Sequence, residues 1–122
     1  MASIKETLAK IMEIQGAIGC CVVDSSSGMM LGSEGGGTSF NLEIAAAGNT
    51  EVVRAKRKTM AALDLNDEIE DILITLNKQY HIIRPLRAND ALFCYLVLDK
   101  KSGNLAMARH LLSDAEKNLT IS

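Results

Sequence analysis

The sequence predicts an α/β (α+β) domain with three α/β/α layers around a five-stranded antiparallel sheet, its elements in the order α-β-β-α-β-β-β-α. Three observations predict it. Apolar residues recur at helical spacing near both ends of the chain, and a long helical pattern separates two strand-length apolar runs from three more. The turns within each group of runs are short, which makes the pairing antiparallel. At 122 residues the chain forms one domain, 1–122, with a single core.

The first helix begins at Ser3, where Ser3 and Glu6 form an S-x-x-E capping box, and Gly16 supplies its stop. Ile4, Leu8, Ile11 and Met12 make its apolar stripe. The run Ala17 to Val23 then ends at Asp24, three serines and Gly28, and Met29 to Leu31 resumes the apolar pattern, as in a tight hairpin. Ser33 to Ser39 reads as a flexible, glycine-rich connection whose Thr38 and Ser39 are candidate N-caps. Its glycines do not make a phosphate loop. Glu34 sits among them and no Lys precedes the helix.

The second helix spans Phe40 to Leu63 and has two unlike faces. Leu42, Ala45, Ala46, Val53, Met60 and Leu63 cover the sheet, while Ile44, Ala47, Gly48, Glu51, Ala55, Lys58 and Ala62 lie away from it. The second face is small. Gly48 within it either admits another backbone at close range or fits over the sheet. Arg54, Arg57 and Lys58 share a side, read as a solvated face or as a docking surface for an acidic partner, such as the segment Asp67, Glu68, Glu70 and Asp71 of a second copy.

Ile72 to Leu76 alternates as a strand, Tyr80 to Leu86 forms the next run, and Ala91 to Leu98 is apolar almost throughout, as expected of a central strand. Pro85 lies near the end of its run, where a lost ladder hydrogen bond is tolerable. The last helix carries Leu105, Ala108, Leu111, Leu112, Ala115 and Leu119 on one face. Helix two therefore covers one face of the sheet, and the terminal helices cover the other.

Composition excludes several functions. A net charge of −2 and 3% aromatic residues argue against nucleic acid as a partner. No apolar run approaches a membrane span or a secretory leader, so the expectation is a cytoplasmic protein with no direct membrane insertion. Cys20, Cys21 and Cys94 fall in apolar runs without CxxC spacing, which fits buried reduced thiols rather than a disulfide or zinc site. His81 reads as a strand-face residue and His110 as a surface residue; neither belongs to an HExxH pair. Serines 25 to 27 are turn residues, and GxSxG is absent. The expectation is a protein that is not an enzyme, with no catalytic residue, metal or cofactor.

The chain resembles the Roadblock/dynein light chain family over nearly its whole length. The residues that carry the resemblance are GAIGCCVVDSSSGMMLG (16–32), the following helix with Ala45-Ala46-Ala47, the strand Asp71 to Leu76, and Phe93 to Leu98 followed by Gly103 to Arg109. The resemblance implies a profilin-like or longin-like module with strand order 2-1-5-4-3. It also implies a homodimer, or a heterodimer with a related Roadblock domain, in which helix two and the third strand join two sheets into one of ten strands. On this sequence that interface maps to Ile44, Ala47, Gly48, Glu51, Ala55 and Lys58 of the helix and to Ile69, Asp71, Leu73 and Thr75 of an edge strand running from Ile69 to Leu76. Joining free strand edges gives the mapping a physical reason.

The implied function is a regulator or scaffold for Ras-like small GTPases, including activation of GTP hydrolysis without an arginine finger, as in a bacterial subgroup of the family. A dynein-type light chain or adaptor is the alternative role. A small-molecule sensor on a related sheet is a further one.

Overall fold

The computed structural model describes residues 2–120; Met1, Ile121 and Ser122 of the expected domain lie outside the described residues. Its elements are α1 (Ile4–Ile11), β1 (Ala17–Asp24), β2 (Met29–Gly35), α2 (Leu42–Ala62), β3 (Ile72–Thr75), β4 (Gln79–Pro85), β5 (Leu92–Asp99) and α3 (Leu105–Lys117). The five strands form one antiparallel sheet in the order β2-β1-β5-β4-β3. Fold class, element order and strand order are those expected.

Strand alternation divides the core in two. Cys20, Val22, Ile82, Cys94, Leu96 and Leu98 point toward α1 and α3, where they meet Leu8, Ile11, Ala108 and Leu112. Cys21, Val23, Ile83, Phe93, Tyr95 and Val97 point the other way, toward Leu42, Ala46 and Val53 of α2. The three cysteines are buried and unpaired, and burial pushes the Cys20 and Cys21 thiols up to about 12 and the Cys94 thiol higher still. They are core side chains.

Several boundaries differ from expectation, each for a local reason. The capping box of α1 forms as read, with Ser3 N–H donating to Glu6 Oε1 and Glu6 N–H to Ser3 Oγ, both at 3.2 Å. The helix nevertheless stops at Ile11, with Met12 as C-cap, and Gly16 instead turns the chain into β1 at φ +88°. A Cβ there would lie 2.8 Å from Gly103, so glycine permits close approach to the loop before α3.

Ser33 to Gly35 belong to β2, paired with Gly19 to Cys21, rather than to a flexible connection. Gly35 is required there, since a Cβ would sit 2.6 Å from the Ile18 carbonyl oxygen. The cap of α2 is Asn41, whose side chain accepts from Ile44 N–H, and neither Thr38 nor Ser39. Leu63 is exposed past the end of α2, and Leu111 of α3 is partly exposed, so neither belongs to the core as expected.

The edge strand β3 has four residues instead of running from Ile69 to Leu76. Its ladder ends with Ile72 opposite Ile83. The next positions of β4 are Arg84 and Pro85, and Pro85 has no N–H with which to continue. The Asp71 carboxylate is held there by Arg109 of α3, at 2.9 Å from Nε and 2.8 Å from Nη2. This bidentate pair fixes where the chain enters the sheet.

Candidate interaction surface on α2 and β3

Helix α2 turns one side to the sheet through Leu42, Ala46, Asn49, Thr50 and Val53, all buried. Thr50 Oγ1 satisfies itself by donating to the Ala46 carbonyl at 2.8 Å. The opposite side carries Ile44, Ala47, Gly48, Glu51, Ala55 and Lys58, every one exposed. Ile44, at 71% exposure, is the most exposed large apolar side chain among the described residues. A Cβ on Gly48 would meet nothing within 4 Å. Gly48 therefore does not serve to fit the helix over the sheet.

Beside this helix the sheet is thinly covered. By alternation Ile72 and Ile74 of β3 and His81 of β4 lie on the α2 side, with Ile74 opposite His81 across the ladder. Ile72 packs at the margin of the α2 cluster, together with Ala45, Val52 and Phe40. The His81 ring meets Phe40 and Tyr95 edge-on at 5.8 and 5.6 Å. Its Nδ1 lies 2.9 Å from Tyr95 Oη and its Nε2 2.9 Å from Gln79 Oε1. A neutral ring with the proton on Nε2 satisfies both contacts, and burial pulls the His81 pKa down, favouring that form.

The expected interface residues on the strand side separate. Leu73 points to the α1/α3 side and packs against that core, and Thr75 is exposed at the free edge. Asp71 is engaged by Arg109. Ile69 lies before β3 and lines an open groove of about 580 Å³ between the C-terminal half of α2 and the β4–β5 turn. By alternation Asp71, Leu73 and Thr75 lie on the side of the sheet away from α2, so the structure does not bring the expected strand residues together with the outer side of the helix.

The basic residues of α2 also separate. Arg54 Nη2 donates to the Ser26 carbonyl and Arg57 Nη2 to the Asp90 carbonyl, each at 2.7 Å, so these two side chains tie the helix to turns at the end of the sheet. Arg54 further pairs with Glu51 at 3.4 Å. Lys58 remains on the outer side.

Sequence reasoning missed a deeply buried ion pair. Arg84 Nε lies 3.1 Å from Glu116 Oε1, with the two side chains 5% and 3% exposed. Glu116 Oε2 also accepts from Arg87 N–H at 3.4 Å. Alternation gave a signal, because Arg84 shares the inward side of β4 with Ile82 and Leu86. A charge at such a position needs a buried partner.

Among the described residues no group of three metal-ligating side chains converges, and no helix is long and apolar enough to cross a membrane. His110 lies on the surface, with Nε2 3.4 Å from Asp114 Oδ2.

No protein-family model matches the sequence, and no curated protein matches it either. Solved structures do match in shape. A Roadblock/LC7 domain from Streptomyces avermitilis superposes with a TM-score of 0.80 at 8% identity, over 95% of this chain and 93% of that one. MglB of Myxococcus xanthus gives 0.74 at 14% identity over 91% and 77%. The gliding protein MglB of Thermus thermophilus gives 0.69 at 14% over 93% and 88%. At such identities the likeness speaks for architecture alone: the chain has the fold of the Roadblock/LC7 domain.

Proposed function

We propose that this chain is a non-catalytic interaction module that pairs with a second copy, or with a related Roadblock domain, through the outer side of α2 and the free edge of β3. The pair then binds a Ras-like small GTPase. The observation that supports the pairing is that the outer side of α2 is small and exposed, through Ile44, Ala47, Gly48 and Ala55, in a sheet whose edge strand β3 has outward backbone groups with no partner among the described residues. Small residues let backbones approach, and a free edge gains a ladder when a second edge joins it. One structural neighbour is an MglB with a tetrameric arrangement, which supports assembly from copies.

Sedimentation velocity tests the pairing. The wild type is expected to sediment as a dimer and Ala47→Arg as a folded monomer with an unchanged circular dichroism spectrum. A monomeric wild type at high concentration would reject the interface. The GTPase half is tested by co-purification with Ras-like GTPases of the same genome, loaded with GDP or a GTP analogue. Absence of a complex in both states would remove that half and leave the pairing standing.

A further inference from the structure

The side of the sheet away from α2 carries a second feature that pairing does not use. The N-terminus of α1 lies beside the C-terminus of α3, because Ala2 and Leu119 form a parallel bridge in which Ala2 N–H donates to the Asn118 carbonyl and Thr120 N–H to the Ala2 carbonyl. The two helices therefore run antiparallel. They leave an open groove of about 510 Å³ between them, its apolar wall formed by Ile14, Leu111 and Ala115. Three carboxylates, Glu6, Glu13 and Asp114, line it against one cation, Lys10.

Two further observations belong to this groove. Thr7 in its wall is 2% exposed, and its Oγ1 is the only buried side-chain polar atom without a hydrogen-bond partner among the described residues. Such groups are rare in native proteins. In addition, α1 has eight residues against thirteen in α3, so it leaves Leu111 at 39% exposure, with Met107 one turn away at 54%. These two apolar side chains continue the groove wall along α3.

We propose that the α1/α3 groove docks an amphipathic helix from a partner protein, one with an apolar stripe flanked by Lys or Arg. Its apolar residues would cover Leu111 and Met107, the exposed apolar side chains of the groove wall, and its cations would face Glu6, Glu13 and Asp114. Charge complementarity selects this occupant. An acidic helix would meet three carboxylates, whereas a basic one meets three opposite charges and one like charge. The site is independent of the α2/β3 surface, which lies on the other side of the sheet.

The test uses the full chain, isotope-labelled, and a synthetic fourteen-residue helix of Leu and Lys, with a Leu and Glu twin as control. Backbone amide shifts are expected to move at Thr7, Glu13, Leu111 and Asp114 with the Lys peptide and not with its twin. Glu13→Lys/Asp114→Lys should weaken binding more than fivefold with the fold intact, as judged by circular dichroism. Thr7→Val, which removes a hydroxyl buried beneath the groove, should raise the melting temperature and leave binding unchanged. The proposal is overturned if the shifts map to α2 or to the acidic segment 64–71, if the Glu twin binds equally, or if spermidine alone displaces the peptide.

Discussion

On one side of the sheet α1 and α3 share the cover, and Arg84 reaches up from β4 to an ion pair with Glu116 that is almost wholly removed from water. On the other side α2 works alone, packed over β1 and β2, with His81, Ile72 and Ile74 only half covered at its flank. The doubly covered side buries a charged pair and should tolerate the loss of either partner poorly. The singly covered side leaves the small residues of α2 exposed, and the pairing proposed above would use them.

The largest effect should fall on the doubly covered side. Glu116→Ala leaves the Arg84 guanidinium buried without its partner and should cost about 3–5 kcal/mol in denaturant unfolding. The double change Arg84→Met/Glu116→Leu should recover most of that loss; if it is as unstable as the single variant, the pair is not what closes this side. Gly16→Ala comes next. It forces a left-handed residue into van der Waals overlap with Gly103, and a loss of about 1–3 kcal/mol is expected from the strain.

On the α2 side the sign should reverse. Gly48→Ala meets no atom within 4 Å and removes a helix-interior glycine, so the monomer should gain about 0.5–1 kcal/mol. The same change should weaken self-association. A more stable protein that dimerises as well as the wild type would mean the small face is not a contact.

The smallest effect is the pH response of His81. Burial lowers its folded pKa below the ordinary 6.5, so protons favour the unfolded chain. Stability from this group is complete above pH 6.5 and falls as the pH drops from there through the folded value. His81→Gln should flatten the decline in melting temperature between pH 7.5 and pH 5. The carboxylates of Asp24 and Asp99, held low by hydrogen bonds from Ser26 and Ser102, act in a separate and more acidic window.

Periodicity carried the architecture because each element buries one side. The stripes through Leu8 and Ile11 and through Ala108 and Leu112, and the alternation along β1, β4 and β5, could be read without any partner in view. Element ends were less legible, since they depend on distant neighbours. Nothing local to Gly16 announces Gly103, and β3 is bounded by Pro85, which lies on the neighbouring strand, and by the ion pair of Asp71 with Arg109 of α3. The outer side of α2 could be read as the half of the helix left over. Arg54 and Arg57 could not, because their acceptors are carbonyls on turns far away in sequence. Sequence spacing groups those two with Lys58, and only the fold shows that they are already engaged.

The strand order has a consequence in time. β5 lies between β1 and β4 and is the last strand along the chain. As the polypeptide leaves the ribosome, the hairpin of β1 and β2 and the ribbon of β3 and β4 emerge with their inner edges open, and neither edge has its native neighbour until Asp99 has been made. The sheet is sealed from its centre by its final strand. Synthesis that pauses before β5 would expose two sticky half-sheets, which makes this stretch the point where a chaperone would most help the nascent chain.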